Sequence, residues 1–503
     1  METYGLAPLD ERDAERSGSP PGRGWNPGAL VALRFAFLYW LIFAAPQIID
    51  FPSDLFQLAT QQAFPSEQSA PAWVKNTAER LGYPAKQLRE GMNWLVPRTC
   101  RALLRIEIEP PTDPSGSGDR KIHYCEAFTN LVLALFLLVV WTLASEIGRR
   151  RLRLGPANGD RLQAWLSLIV RFILMTLMLG YGSAKIWCSQ FPPIRDGQLD
   201  VTYGDSSPMG LLWRFMQYSQ PYTIATGLIE FGCGLLLISR RTSLLGALCS
   251  AGASLQIFLL NMCFDVPVKL LSGHMLLMAA TLIVPQVPRL CRFFILGKPA
   301  PAPQLVPLFG GGRIDRFLVA FRTVAFTALA VLQLLSAYQM ARRVGILAPA
   351  SPASGNWSPV EIVRGGKSVP LQKQSGKGPS TAGEFHKMMR AMKPSPWKGG
   401  AAMPAVTSVY IDGPFVMFRF GDETRGSYRS RGIDPSVFML AATDGHEAGE
   451  LRTSFPDADQ MILEGKFEGE ETRLVLRKDA LATKEYPLKT REFNWIQEYP
   501  FNR

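Results

Sequence analysis

A bundle of about seven membrane-crossing α-helices, followed by a C-terminal antiparallel β-barrel or sandwich, is the fold this sequence predicts. Three observations predict it. Apolar runs of bilayer length recur through the first two-thirds of the 503 residues. Lys and Arg gather in alternate connections between those runs. Beyond residue 400 the apolar pattern shortens to strand-length runs separated by turn residues. Charged residues make up 19% of the chain, below the ~25% usual for soluble proteins. With 47% hydrophobic residues and seven cysteines, disordered, collagenous and disulfide-scaffold classes are excluded.

Residues 1–28 are polar and contain Pro and Gly, as a cytoplasmic tail would. The membrane domain is expected over 29–343. Its spans are Ala29–Ile49, Ala127–Ser145, Leu162–Trp187, Pro221–Ser239, Thr242–Phe264, Leu270–Pro288 and Phe317–Ala341. The first run is too long for the apolar segment of a signal peptide, so it is read as a retained helix. Arg149, Arg150, Arg151, Arg153 and Arg161 follow the second run, Arg240 and Arg241 the fourth, and Arg289, Arg292 and Lys298 the sixth. If the spans alternate, these connections share one side. The positive-inside rule makes that side cytoplasmic, in a bacterial inner membrane with the C-terminal domain in the periplasm.

Two parts lie outside the bilayer in this reading. The loop at 50–125 is too long for a bare connection. Ala72–Leu81 and Lys86–Ile106 carry helical periodicity there, which predicts short helices on the outer membrane surface. Residues 344–400 read as a linker and loose surface segment. In 401–503, the runs at 405–411, 414–420, 436–442, 461–467 and 472–478 predict short strands of a small barrel or sandwich. Residues 351–503 hold 21 Lys+Arg against 19 Asp+Glu. Most of the net +12 therefore belongs to the membrane part and follows its topology, which argues against a nucleic-acid partner.

No CxxC, HExxH or GxGxxG motif is present, and the four histidines fall far apart in sequence. No metal, haem or flavin site is expected. Cys100 and Cys125 share the outer loop; the sequence leaves open whether they are bridged.

Polar groups in hydrocarbon need a reason, because an ionisable side chain at mid-bilayer costs about 2.5–3.5 kcal/mol. Glu230 is the tenth of nineteen residues in the fourth run. A carboxylate there must be protonated or paired, and Arg171 and then Arg34 are the expected ion-pair partners. A buried network that only sets packing is the structural alternative to a proton-carrying Glu230. A second group collects toward the outer ends: Lys185, Tyr181, Asn261, Asp265, His274, and Asp205 before the amphipathic stretch Met209–Tyr218. A lysine in an apolar slot can act as a base, and histidine exchanges protons near neutral pH. The structural alternatives are an interfacial anchor for Lys185 and a helix–helix hydrogen bond for His274.

Tyr181-Gly-Ser-Ala-Lys185, Gly227–Gly234 with its central Glu230, and the Arg240-Arg-Thr-Ser243 turn resemble the DoxX-like membrane family. Gly204–Met216, Asn261–Lys269 and the closing Phe493–Asn502 resemble a longer bacterial branch of it. The resemblance covers about 160–290 and the C-terminal end. It implies a four-helix membrane core and, through the thiosulfate:quinone oxidoreductase subunits of that family, quinone-linked redox chemistry. A more distant similarity to vitamin K-dependent carboxylase-like membrane proteins implies Lys185 as a base toward a hydroquinone. Lys185, His274 and Glu230 would then be catalytic. Tyr181, Asn261, Asp265 and Asp205 would bind a quinone, and a partner subunit would carry electrons. The alternatives are a non-enzymatic scaffold whose β domain binds a partner or lipid, and proton-coupled transport through Glu230.

Overall fold

The computed structural model describes residues 25–64, 70–108, 117–152, 159–194, 206–300, 312–343, 352–369 and 406–478, with short breaks inside the last range and a few isolated positions. Seven helices among these residues are long and apolar enough to cross a membrane. The chain is a multi-pass integral membrane protein with a closed C-terminal β-barrel. It divides into two compact bodies. One holds residues up to 181 with 229–262 and 266–336; the other holds 182–228, 263–265 and 337–503.

The first body opens with three long helices, α1 (Pro27–Ala63), α2 (Ala72–Leu104) and α3 (Lys121–Leu152). Asn26 caps α1 by accepting from the Ala29 amide at 3.1 Å. The predicted short surface helices are instead one continuous α2, and α1 runs on well past the expected Ile49. Both helices carry internal prolines, Pro46 and Pro52 in α1 and Pro84 and Pro97 in α2. Each proline removes a helical hydrogen bond, but packing between the two helices holds them. Ser53 donates to the Ala78 carbonyl at 3.3 Å, and Asp50 pairs with Arg89. Val96, Cys100, Ile122 and Cys125 then join α2 to α3 in a small buried cluster.

The membrane bundle continues with α4 (Asp160–Ile186), α6 (Gln220–Ile238), α7 (Ser243–Cys263), α8 (Lys269–Ile283), the short α9 (Val287–Phe294) and α10 (Arg313–Arg343). Its core in the first body is made by Trp40, Val170, Ile173, Met178, Leu237 and Met278, among others. Small residues set the spacing: a Cβ on Gly234 would lie 2.7 Å from Leu179, so α6 and α4 meet almost backbone to backbone there. On α3, Leu135, Phe136, Val139, Val140 and Leu143 stay exposed, as a lipid-facing surface requires.

Between α2 and α3, Asp119 does a capping task. Val268, at the N-cap of α8, offers no side-chain cap. The Asp119 carboxylate accepts from the Lys269 and Leu270 amides at 2.8 and 3.0 Å. An anion at these unsatisfied N–H groups is favourable.

The second body contains the end of α4, the amphipathic α5 (Pro208–Tyr218) predicted from the sequence, and the barrel. Ser207 caps α5, and Thr223 ties α5 to α6 through the Met216 carbonyl at 2.6 Å. Nine described strands follow: β1 (Gly355–Arg364), β2 (Lys367–Ser368), β3 (Val406–Asp412), β4 (Phe415–Phe420), β5 (Arg425–Ser430), β6 (Val437–Ala442), β7 (Glu447–Asp457), β8 (Gln460–Phe467) and β9 (Glu470–Lys478). Strands β3 to β9 form an antiparallel meander, and β1 closes the ring by pairing with both β3 and β9. β2 only extends the β1 hairpin. The interior is aromatic: Phe418, Tyr428 and Phe467 lie with ring centroids 5.1–5.6 Å apart. The Trp357 indole donates to the Ala353 carbonyl at 2.8 Å. β1 falls inside the segment expected to be linker. Pro359 masks it in the sequence, and the register shift between Pro359 and Glu361 is the bulge that accommodates a proline in a paired strand.

Candidate functional site

His274 sits in the second turn of α8 and is buried. Its Nδ1 lies 2.8 Å from the Leu270 carbonyl. A carbonyl only accepts, so Nδ1 carries the hydrogen, and in the neutral ring Nε2 is a lone pair. That lone pair faces the Tyr39 hydroxyl at 2.7 Å, so Tyr39 donates to His274. Phe43 stacks on the imidazole at 4.9 Å with planes 9° apart, and Trp40 stands edge-on at 6.2 Å. One turn of α1 thus encloses the ring on two sides. Trp40 also donates to Thr281 at 3.1 Å. The pairings Trp40–Thr281 and Phe43–His274 run in opposite directions along the chain, so α1 and α8 pack antiparallel, as the first and sixth of seven alternating spans should.

Tyr39 was not among the residues that sequence reasoning selected. The available signal was a phenol at the middle of an otherwise apolar run. Its O–H needs a partner in hydrocarbon as surely as a charge does.

Glu230 is buried on α6. The expected ion pair with Arg171 and Arg34 does not form. Arg171 is 3% exposed, and its guanidinium hydrogen-bonds carbonyls at the end of α6. Nε and Nη2 donate to Leu237 at 3.0 and 2.6 Å, and Nη2 also donates to Ile238 at 2.7 Å. These are carbonyls that a helix end leaves unsatisfied, where a cation is favoured. Arg34 lies over the Trp141 ring at 5.4 Å and reaches the Thr142 hydroxyl at 3.4 Å. Both arginines find acceptors or an aromatic face instead of the carboxylate.

Asn261 is buried and ties the turn between α7 and α8. Its amide donates to the Ser272 hydroxyl at 3.0 Å and lies 3.4 Å from the Val268 carbonyl. Its backbone carbonyl accepts from the Val266 amide at 3.0 Å. That is a structural use of a side chain expected to orient a ligand.

In the second body, Lys185 lies in the last turn of α4 and is 6% exposed. A Cβ on Gly227 would fall 2.8 Å from the Lys185 Cβ and 2.9 Å from the Gly182 carbonyl oxygen. The glycine in α6 therefore makes the room that the lysine stem occupies. Ala184 ends the helix by accepting from the Gln190 amide and the Ser189 hydroxyl, both at 3.1 Å. A cation in this last turn complements the helix dipole. Asp265 is exposed in a left-handed turn conformation, φ 52°. Asp205 lies outside the described residues, as do the greater part of residues 1–28 and of 344–400, and the closing stretch 493–502. Among the described residues no group of three or more His, Cys, Asp or Glu is arranged to hold a metal ion.

No family model matches the chain, and no solved structure matches it. A curated relative, the uncharacterized protein YwoB of Bacillus subtilis (strain 168), is 31% identical over 103 residues. That match takes in 20% of this chain and 65% of the relative, so the chain spans about two-thirds of the relative's length.

Proposed function

We propose that this membrane protein carries out proton-coupled chemistry on a quinone-type ring, with Tyr39 and His274 as the proton-handling pair. The carrying observation is the 2.7 Å hydrogen bond between the Tyr39 hydroxyl and the His274 Nε2 inside an aromatic, apolar bundle. Tyr39 is half-buried and His274 buried, so Tyr39 is the member of the pair assigned to meet a ligand. A hydroquinone hydroxyl donating to the Tyr39 oxygen can pass its proton through the phenol to Nε2. The product imidazolium keeps its Nδ1–H on the Leu270 carbonyl. His274 is then the base and Tyr39 the group that touches the substrate, a two-member relay of the kind used in general base catalysis. Electrons leaving the ring need an acceptor on a partner subunit or a diffusible one. The DoxX-like resemblance supports the same substrate class, and separately names Lys185 as a base. The resemblance and the basic connections together support an inner-membrane location with the barrel and the 50–125 segment outside.

The test is organic extraction of the full chain purified in mild detergent, followed by mass spectrometry for bound quinone. Quinone in stoichiometric amount is expected in the wild type and is lost in Tyr39→Phe, which keeps the ring and removes the hydroxyl. Quinol oxidation by an added electron-accepting dye should fall about 10²–10⁴-fold in folded His274→Gln. A wild-type extract without quinone, with Lys185→Ala and Tyr39→Phe unchanged in phenotype, overturns the proposal.

A second reading is favoured by a specific pattern. Arg171, Asn261 and the Nε2 of His274 are engaged in holding helices together. On this reading the membrane part is a scaffold that presents the barrel to a partner or lipid.

A further inference from the structure

We propose that Cys100 and Cys125 form a disulfide that fastens the end of α2 to the start of α3. Both side chains are buried, 0% and 4% exposed, in one apolar cluster with Val96 and Ile122. Both are free thiols in this structure, brought by α2 and α3 into the same small cluster, and a bridge would close the sulfurs to about 2.0 Å. The backbone beside Cys100 is fixed: Arg105 turns left-handed at φ 58°, and its amide closes on the Cys100 carbonyl. The Ile106 amide reaches that carbonyl too, at 3.3 Å.

The reaction is thiol–disulfide exchange. Cys100 and Cys125 together give up two protons and two electrons as the S–S bond forms. A disulfide donor, protein or small molecule, takes the electrons as its own S–S bond breaks to two thiols. Burial, and after it the hydrogen bond with Cys125, pushes the Cys100 thiol up to about 12. No thiolate is stabilised at Cys100, unlike the low-pKa cysteines of catalytic dithiols.

The bridge also has a place in the membrane bundle. It closes the segment between residues 100 and 125, and that segment carries Asp119, whose carboxylate clasps the first amides of α8. Cross-linking the two ends of this segment restricts where Asp119 can go. It thereby fixes the helix that bears His274.

For bridging in the cell, the inference rests on the outward orientation proposed above for the 50–125 segment. The experiment separates the two. Membranes holding the full chain are alkylated before solubilisation, denatured, digested and searched by mass spectrometry for a linked Cys100–Cys125 peptide that reduction abolishes. In parallel, the purified reduced chain is incubated with oxidised glutathione and treated alike. A linked peptide in both arms, absent from Cys125→Ser, supports the bridge and the orientation. A link only with glutathione supports the pairing and counts against the orientation. Two alkylated thiols, or glutathione adducts in place of the link, overturn the proposal. The oxidised chain should also unfold at a higher temperature than the reduced one, a shift that Cys125→Ser removes.

Discussion

Replacing Arg171 by Met tests whether this buried cation serves a helix end or a carboxylate. The side chain makes three hydrogen bonds to two carbonyls, those of Leu237 and Ile238. Met keeps most of the volume and strands both acceptors inside the bundle. At about 1–3 kcal/mol for each buried acceptor left without a partner, the expected cost is about 2–6 kcal/mol. Lys would restore the charge but reach fewer of the bonds, so Arg171→Lys should fall between. Leu237 is seven residues from Glu230 along α6, or about 10 Å at ~1.5 Å per residue. Sites that far apart are close to additive, within about 0.5 kcal/mol. The assay is a double-mutant cycle with Arg171→Met and Glu230→Gln, read by SDS-induced unfolding in mixed micelles. A coupling energy near zero is expected. Coupling above about 1 kcal/mol, the range of residues in direct contact, would refute the helix-end assignment and restore the ion pair.

Two further outcomes follow from the same packing. Asp119→Ala should destabilise the chain by about 2–4 kcal/mol, because two charge-assisted hydrogen bonds at the α8 N-terminus vanish. Asp119→Asn, which keeps one acceptor oxygen, should lose about half of that in the same unfolding assay; equal losses would argue against the two-amide clasp. Gly449→Ala should abolish the barrel. Its φ is +131°, and a Cβ there would lie 2.0 Å from the Lys466 carbonyl oxygen. Loss of the β-sheet signal in circular dichroism checks it, and a folded variant would disprove the close strand crossing.

The spans were legible because hydrocarbon imposes a length and an exclusion that single residues report. Charge-poor runs of about twenty residues needed no tertiary knowledge. The barrel was legible in β3, β4, β6, β8 and β9, where apolar residues concentrate and turns follow. β5 (RGSYRS) and β7 (EAGELRTSFPD) were not. They bury few large side chains, and their pairing depends on neighbours. The site residues divide along a similar line. Being buried could be read for Glu230, Lys185 and His274, since each sits in an apolar run. Partners could not be read. Arg171 took backbone carbonyls at a helix end, and nothing in a sequence says which end will be adjacent. Tyr39 was passed over because its partner, His274, lies 235 residues away in the chain. The continuous α2 was missed because the helical periodicity is interrupted between Leu81 and Lys86, while contacts with α1 carry the helix through.

The barrel closes by joining its first strand to its last. β1 ends at Arg364 and β9 begins at Glu470, so more than a hundred residues separate the two halves of one seam. Every other strand can zip onto its predecessor as it emerges from the ribosome. β1 has early neighbours in β2 and β3 on one edge and must keep its other edge open until the final strand arrives. While it waits, Trp357 has no completed interior to enter. During synthesis this seam is the stretch most open to wrong pairing, and a chaperone that shields an unpaired strand would be needed there before anywhere else.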